Sequence, residues 1–558
     1  MPTEIFDFII IGGGLAGSAL ASRLQQGSPS LSILIIEAGT DVSDRADVLD
    51  GSQWLSLLGS DLDWAYNTVP QRHVNDRILL NHAGKALGGG SVTNAGVWTR
   101  GDKENYDKWA ELVDDPRWSY AGLLPYFRKV ETYHDPNADP KIHGFDGPIK
   151  TESSVDRHYP LHEQVKNAWA DVGIPYKPSM NDGDPVGLGQ LIENRADGVR
   201  QISYSAYDLK NIKILTNTLV KRVIVSDENG RKVATAVELA ESNNDGKITN
   251  RIITARREVI VSAGAYRSPQ VLMLSGLGPK EELQRLGIEA LVDLPDVGRH
   301  LRDHCYINQW WKLKEPEKGL ALGSPAFNKP AFFKGLPIDF LATNQVPKEG
   351  LLKAIAADYK EAGIDADPEL HELLSQKGHV EVFFMYVGFN QGDPLVVPDG
   401  VNVTTAIILL LPSSKGSIRL ADTDPKTAPV IDPNYLATEV DRYMLREGVR
   451  QTYKVLCDTE IGKSIIASET VESDGHPVTK ESSDEELDDL IRRRLLTMFH
   501  ALGSLSMGKV VDSELRVKGV DRLRVVDASV IPLPISGHIQ SAVYAIAEQA
   551  ADIILASL

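Results

Sequence analysis

The hydrophobic pattern of this chain changes period several times within its first forty positions. Phe6–Ile11 is a near-continuous apolar run, the signature of a strand buried on both faces of a parallel sheet. Gly12, Gly14 and Gly17 interrupt it, SALASRLQQ continues at helical spacing, and a second apolar run, ILIIEAG, carries Glu37 at its end. This order predicts a dinucleotide-binding βαβ unit. The glycines permit a tight turn, a close approach of backbone to a pyrophosphate and close helix–strand packing. The helix N-terminus faces the phosphates, and Glu37 accepts the hydroxyls of a ribose.

Farther along, a loop-rich stretch with Trp54, Trp64 and Tyr66 leads into NHAGKALGGGSVTNAGVWTRGD, Asn81–Asp102. Gly84, Gly88, Gly89 and Gly90 disfavour a stable helix or strand there and suit backbone held against a ligand. Residues 102–131 read as helical. From Asn211 the pattern switches to short β runs, IKILTNTLVKRVIVS, KVATAVELA and REVIVSAGAY, with ESNNDGKITN as a surface turn. Val259–Ser262 repeats the buried-strand-then-glycine pattern and is expected to join the first sheet, which makes the nucleotide domain discontinuous.

Between about residues 306 and 494 the character changes. Seven of the twelve phenylalanines (Phe327, Phe332, Phe333, Phe340, Phe383, Phe384 and Phe389) fall among strand-like runs such as HVEVFFMYVGF and VNVTTAIILLLP. This is the pattern of a second domain capping the first, with most aromatics in its core and some lining an apolar pocket. Near the C-terminus, Ile539, Ala542, Val543, Ile546, Ala547, Ala550, Ile553 and Ile554 recur at helical spacing after Ser536-Gly537, which places His538 at a helix N-terminus.

Composition narrows the partners. Lys plus Arg number 59 against 77 Asp plus Glu, a formal net charge of −18, which excludes nucleic acid and anionic membranes as partners. Two cysteines, Cys305 and Cys457, imply no disulfide framework. With no signal peptide ahead of the first strand and no run of 18 apolar residues, the expected location is cytoplasmic. The C-terminal Ala556-Ser557-Leu558 is similar to a peroxisomal tripeptide but lacks its basic middle residue. His300 and His304 at i and i+4 are similar to a zinc motif, but that motif wants Glu and a third ligand, so no metal is expected.

Four separated blocks then carry a resemblance. They are IGGGLAGSALA with Glu37, GKALGGGSVTNAGVWTRG, GAYRSPQVLMLSGLG (Gly264–Gly278), and FHALGSLSMG with the segment VVDSELRVKGVDRLRVVDASVIPLPISGHIQSAVYAIAEQAADII. LPDVGRHLRDH, Leu294–His304, also matches. The chain resembles the glucose–methanol–choline (GMC) oxidoreductases, FAD enzymes that oxidise alcohols. Thr93, Ala501 and Leu505 depart from the family pattern, where an aliphatic residue, a proline and a cysteine are frequent.

The resemblance implies an α/β chain with a discontinuous, Rossmann-like FAD-binding domain over residues 1–155, 195–305 and 495–558. A second, α+β substrate-binding cap over 156–194 and 306–494 is built on an antiparallel sheet. It implies FAD contacts from Gly12, Gly14, Leu15, Ala16, Gly17, Glu37, Ala38, Gly88, Ser91, Asn94, Ala95, Gly96, Val97, Val220, Asp527, Ala528, His538 and Ile539. His500 aligns with the general base and His538 with a partner on the same substrate oxygen. The implied reaction oxidises a small-molecule alcohol, apolar or aromatic in view of the Phe-rich cap, with oxygen or another acceptor taking the electrons. Two alternatives stay open at this level. One is a flavin-containing lyase of the hydroxynitrile lyase type; the other is a non-catalytic flavin-binding scaffold, against which the intact histidine pair argues. An NAD enzyme is disfavoured because the C-terminal block fits a flavin.

Overall fold

The computed structural model describes residues 4–242, 248–249 and 251–558. Its first sheet grows from the apolar runs that open the chain. Strand Ile5–Ile11 pairs in parallel with Ile33–Ile36, Phe8 opposite Ile33 through Ile11 opposite Ile36. Phe8–Ile11 and Ile33–Ile36 are buried on two faces, which is why neither run alternates. Lys213–Leu215 extends the sheet beyond Ile33–Ile36. Ile252–Val261 lies parallel on the other side of Ile5–Ile11, as the repeated strand-then-glycine pattern predicts.

That last strand is shared. Its final three residues pair in parallel with Leu523–Val525, while its beginning pairs antiparallel with Arg231–Leu239, itself hairpinned to Val220–Glu228. The strand order reverses beside Ile5–Ile11, so a crevice opens at the C-terminal ends of this strand and of Ile252–Val261. Open α/β sheets bind ligands at that switch point. Residues 241–242 and 248–249 pair antiparallel, and the centre of the expected ESNNDGKITN turn, 243–247, lies outside the described residues.

The second sheet is antiparallel throughout, in the order Ile466–Thr470, Cys305–Leu313, Asn402–Leu409, Val380–Met385, Ile338–Asn344, Gly187–Gln190, with Leu496–Thr497 also on Cys305–Leu313. Alternate residues divide its two faces. Cys305, Ile307, Val382, Phe384, Val403 and Ile407 pack in one core with residues of helices Lys348–Ala362 and Glu439–Tyr453. Tyr306, Asn308, Phe383, Met385, Thr404 and Ala406 face a cavity instead. The phenylalanines divide the same way: Phe327, Phe332, Phe340 and Phe384 are core, Phe383 and Phe389 line the cavity, and Phe333 is exposed.

Two local expectations change. Gly90–Thr93 forms a single helical turn inside the glycine-rich block, where neither helix nor strand was expected. The C-terminal helix, Gln540–Ala556, is buried on every face from Gln540 to Ala551, so its apolar stripe is one side of a central helix. Its buried Glu548 is matched by the Arg23 guanidinium at 2.8 Å and the Tyr207 hydroxyl at 2.9 Å. Among the described residues no helix is long and apolar enough to cross a membrane.

Candidate active site

A cavity of about 730 Å³ occupies the switch point and continues under the second sheet. Sixteen of the nineteen site residues expected from the family resemblance line it: Gly12, Gly14, Leu15, Ala16, Glu37, Ala38, Asn94, Ala95, Gly96, Val97, Val220, His500, Asp527, Ala528, His538 and Ile539. Gly17, Gly88 and Ser91 lie behind the lining. A Cβ on Gly17 would strike the Gly12 carbonyl, and Gly88 donates its N–H to the Gly13 carbonyl at 2.8 Å. The Ser91 hydroxyl donates to the Gly88 carbonyl at 2.6 Å and accepts from Ser203 N–H at 3.0 Å.

At the nucleotide side the wall is mostly backbone. Gly12 has φ +103°, and a Cβ there would drive into the Ser262 carbonyl, so only glycine lets the two parallel strands end side by side. A Cβ on Gly89 would come within 2.7 Å of the Gly14 Cα, which shows how closely the two glycine-rich turns touch. Helix Leu15–Gly27 starts at Gly14 with no side-chain cap, leaving its first N–H groups directed at a cavity that Leu15 and Ala16 line. Such a terminus holds phosphate.

Two carboxylates brace this end. Glu37 accepts N–H bonds from Gly13 at 2.9 Å and Gly39 at 2.7 Å, and burial pushes its pKa above the ordinary carboxylate range. With a further backbone contact from Ala38, the carboxylate still has acceptor capacity for a ligand hydroxyl. Asp527 is more fully engaged. It accepts from Gly264 N–H at 2.9 Å and the Ser268 hydroxyl at 2.5 Å on one oxygen, and from Ser529 N–H at 2.8 Å on the other. Its side chain therefore ties three segments together, and burial raises its pKa.

The other side is built from side chains. His500 and His538 stand 4.8 Å apart between ring centroids, nearly perpendicular at 82°. Burial, then the neighbouring His538 and His304 rings, hold the His500 pKa well below the ordinary imidazole value, so it is neutral at neutral pH. Its backbone is fixed as well. Asp303 accepts the His500 N–H at 2.8 Å, and the preceding Phe499 sits at φ +60°, an uncommon conformation for a bulky side chain, held by the Thr497 hydroxyl accepting its N–H at 2.9 Å. His538 takes its place one residue before the N-cap of the uncapped helix Gln540–Ala556, as the sequence predicts, with its N–H donated to the Thr99 hydroxyl at 2.7 Å.

Three residues here were missed by the sequence reading. The Glu381 carboxylate, from strand Val380–Met385, lies 2.9 Å from His538 Nε2. The available signal was parity: Glu381, Phe383 and Met385 share one strand face. His304, set aside as half of a false zinc motif, is fully buried with Nδ1 3.0 Å from His500 Nδ1. Its would-be partner His300 turns to Asp296 at 2.6 Å. Gln540 accepts from the side-chain amides of Asn94 and Asn194, each at 3.2 Å, and donates to the Val97 carbonyl at 2.6 Å, which ties the glycine-rich block to the C-terminal helix.

An uncapped helix N-terminus beside touching glycine turns, a strand-end acid and a histidine pair thus share one cavity. Residues 6–306 and 412–547 match the GMC oxidoreductase family in its N- and C-terminal parts respectively. The chain is 39% identical over 559 residues to the GMC-type oxidoreductase acuG of Aspergillus aculeatus, covering 99% of this chain and 100% of that one. It is 34% identical to pyranose dehydrogenase 3 of Leucoagaricus meleagris, covering 100% and 94%. Among solved structures, a formate oxidase from Aspergillus oryzae superposes with a TM-score of 0.87 at 30% identity, covering 100% and 99%. The chain belongs to the GMC oxidoreductase family. It is an FAD-dependent oxidoreductase acting on CH–OH groups of small molecules, with an electron acceptor completing turnover.

Proposed function

We propose that this enzyme oxidises an apolar or aromatic alcohol to the aldehyde or ketone, with His500 as the general base. The observation that carries the reading is the His500–His538 pair on the wall of the cavity that also holds the nucleotide-binding turns. Bound FAD supplies the hydride acceptor. The protein's own part is to remove the hydroxyl proton as the hydride leaves, and a neutral imidazole in a dry site suits that task. Nδ1 of His500 faces His304, so Nε2 is left to take the proton. His538 Nε2–H donates to Glu381, which fixes the tautomer and turns the other ring edge toward the alcohol oxygen. The uncapped N-terminus of Gln540–Ala556 gives this wall of the cavity a positive partial charge, which would favour negative charge on a group held there.

The substrate preference rests on the cap side of the wall. Leu336, Ile338, Phe383, Met385, Phe389 and Met498 supply an apolar surface, and Tyr306, Asn308 and Thr404 are the polar groups among them. Burial pushes the Tyr306 hydroxyl up to about 12, so it stays a neutral donor. A pyranose would leave several hydroxyls facing hydrocarbon, at a cost of about 1–3 kcal/mol for each one unpaired. The test is product formation from matched panels of aryl alcohols, alkyl alcohols and pyranoses, with oxygen and a dye as alternative acceptors. Turnover confined to aryl or alkyl alcohols supports the proposal; turnover of pyranoses alone overturns the substrate class.

A further inference from the structure

We propose that His304 is a positioning residue for the reaction: its Nδ1 accepts the Nδ1–H of His500 and thereby selects the tautomer in which His500 Nε2 is free to act as base. The inference rests on the reading of His500 as the base and adds what makes it one.

The argument is a proton count. Two neutral imidazoles whose Nδ1 atoms lie 3.0 Å apart share one N–H between them. If His304 donates, His500 carries its proton on Nε2 and presents a donor to the substrate oxygen, which cannot take a proton. If His500 donates, Nε2 is bare and can. The second arrangement puts the His304 proton on Nε2, an atom that is fully buried without a hydrogen bond of good geometry. The neighbouring Leu410 backbone offsets part of the effect of burial on that ring.

His304 is fastened so that it can hold this role. Its carbonyl accepts the Met498 N–H at 2.8 Å, and the adjacent Cys305 pairs with Thr497, so residues 303–305 and 497–500 form one rigid strap. Asp303 completes it from the side, accepting from the His500 N–H, the Thr497 hydroxyl at 2.5 Å and the Tyr435 hydroxyl at 2.5 Å. The charged or titratable groups around the pair are thus Asp303, His538 and, beyond His538, Glu381. Asp303 is directed at backbone and hydroxyls, and Glu381 at His538. Among the described residues no carboxylate contacts the His304 ring, which is kept neutral by burial with a pKa of about 3. A neutral acceptor orients His500 without raising its affinity for a proton as strongly as a carboxylate would. When His500 takes the alcohol proton at Nε2, its Nδ1–H bond to His304 becomes charge-assisted and shorter.

The test uses the FAD-loaded protein with ¹⁵N-labelled histidine. In the wild type, a downfield imidazole N–H proton resonance from the proton trapped between the rings is expected. It should vanish in His304→Leu and in His500→Ala, and persist in His304→Asn, where only His500 can supply an imidazole N–H to the Asn Oδ1. Loss of the resonance in His304→Asn means that His500 accepts, and overturns the proposal; so does its persistence in His304→Leu. Anaerobic flavin reduction by the alcohol that bleaches the wild type fastest gives the kinetic arm. His304→Leu should slow the limiting rate about 10–100-fold with KM little changed, and His304→Asn should recover most of it. Leu at the wild-type rate, or Asn as slow as Leu, overturns the proposal. If Leu does not fold, Asn is compared with Gln, whose amide oxygen falls beyond the Nδ1 position; Gln as fast as Asn or faster overturns it. A His500→Ala enzyme that reduces at the wild-type rate sinks the base reading instead, and the resonance still decides the tautomer.

Discussion

The two ends of the cavity are built by opposite means. At the nucleotide end, contact surfaces are backbone: Gly12 beside Ser262, Gly14 against Gly89, and the uncapped start of Leu15–Gly27. At the histidine end they are side chains brought from four distant segments: His304, Glu381, His500 and His538. A cofactor with fixed shape can be met by fixed backbone, whereas proton transfer needs titratable groups whose tautomers are set by partners. Damage at the first end should therefore cost binding and folding, and damage at the second should cost rate.

The largest effect that separates the two ends is His500→Ala. Flavin reduction by alcohol should fall about 10²–10⁴-fold while the protein stays yellow, because the nucleotide end is untouched. Gly12→Ala is its counterpart. The methyl would meet the Ser262 carbonyl at an unfavourable φ, so a loss of about 3 kcal/mol in stability and of bound FAD is expected, read from thermal unfolding and the flavin-to-protein absorbance ratio. Glu381→Gln keeps a hydrogen-bonding group beside His538 but removes its charge. We expect a roughly tenfold slower limiting rate with KM little changed, measured by anaerobic stopped-flow; equal loss from both parameters would place Glu381 in substrate binding.

The pH dependence of stability should also differ in sign between His304 and Glu37. His304 is held near 3, below its unfolded value of about 6.5, so the unfolded chain binds the extra proton and stability falls as pH drops through that window. Glu37 is raised above its unfolded value of about 4.3, so its contribution is present at low pH and lost as pH rises toward the folded value. Thermal melts between pH 4 and 6 should show a shallower rise of stability with pH in His304→Asn, by up to about 1.4 kcal/mol per pH unit, and a steeper rise in Glu37→Gln. The smallest effect is Phe389→Ala at the cap, expected to raise KM for an aryl alcohol by about 1 kcal/mol equivalent and to spare the limiting rate.

The same contrast explains what could be read from the chain. The nucleotide end was legible because its parts are contiguous: Ile5–Ile11, Gly12, the helix and Glu37 lie within forty residues, and each has a distinct periodicity or backbone requirement. His500 and His538 were legible through motif resemblance, not through spacing. Their partners were not. Glu381 approaches from the antiparallel sheet, and its only trace is that it shares strand parity with Phe383 and Met385. His304 was visible but misfiled, since i and i+4 spacing to His300 resembles a zinc motif, whereas His300 lies in the short strand Arg299–Leu301 and His304 lies beyond its end, so the two rings take different partners. Asp527, expected against the cofactor, lines the cavity, while the bonds of its carboxylate to Gly264, Ser268 and Ser529 left no trace in the sequence pattern.

Anaerobic reduction of the bound flavin by an aryl alcohol, followed in wild type and His500→Ala across pH 5–9, tests the central claim most directly. The account predicts a wild type that bleaches and a variant that is yellow, folded and slower by at least about a hundredfold. A variant that bleaches as fast as wild type, or a wild type that turns an alcohol over without its flavin ever being reduced, would contradict it.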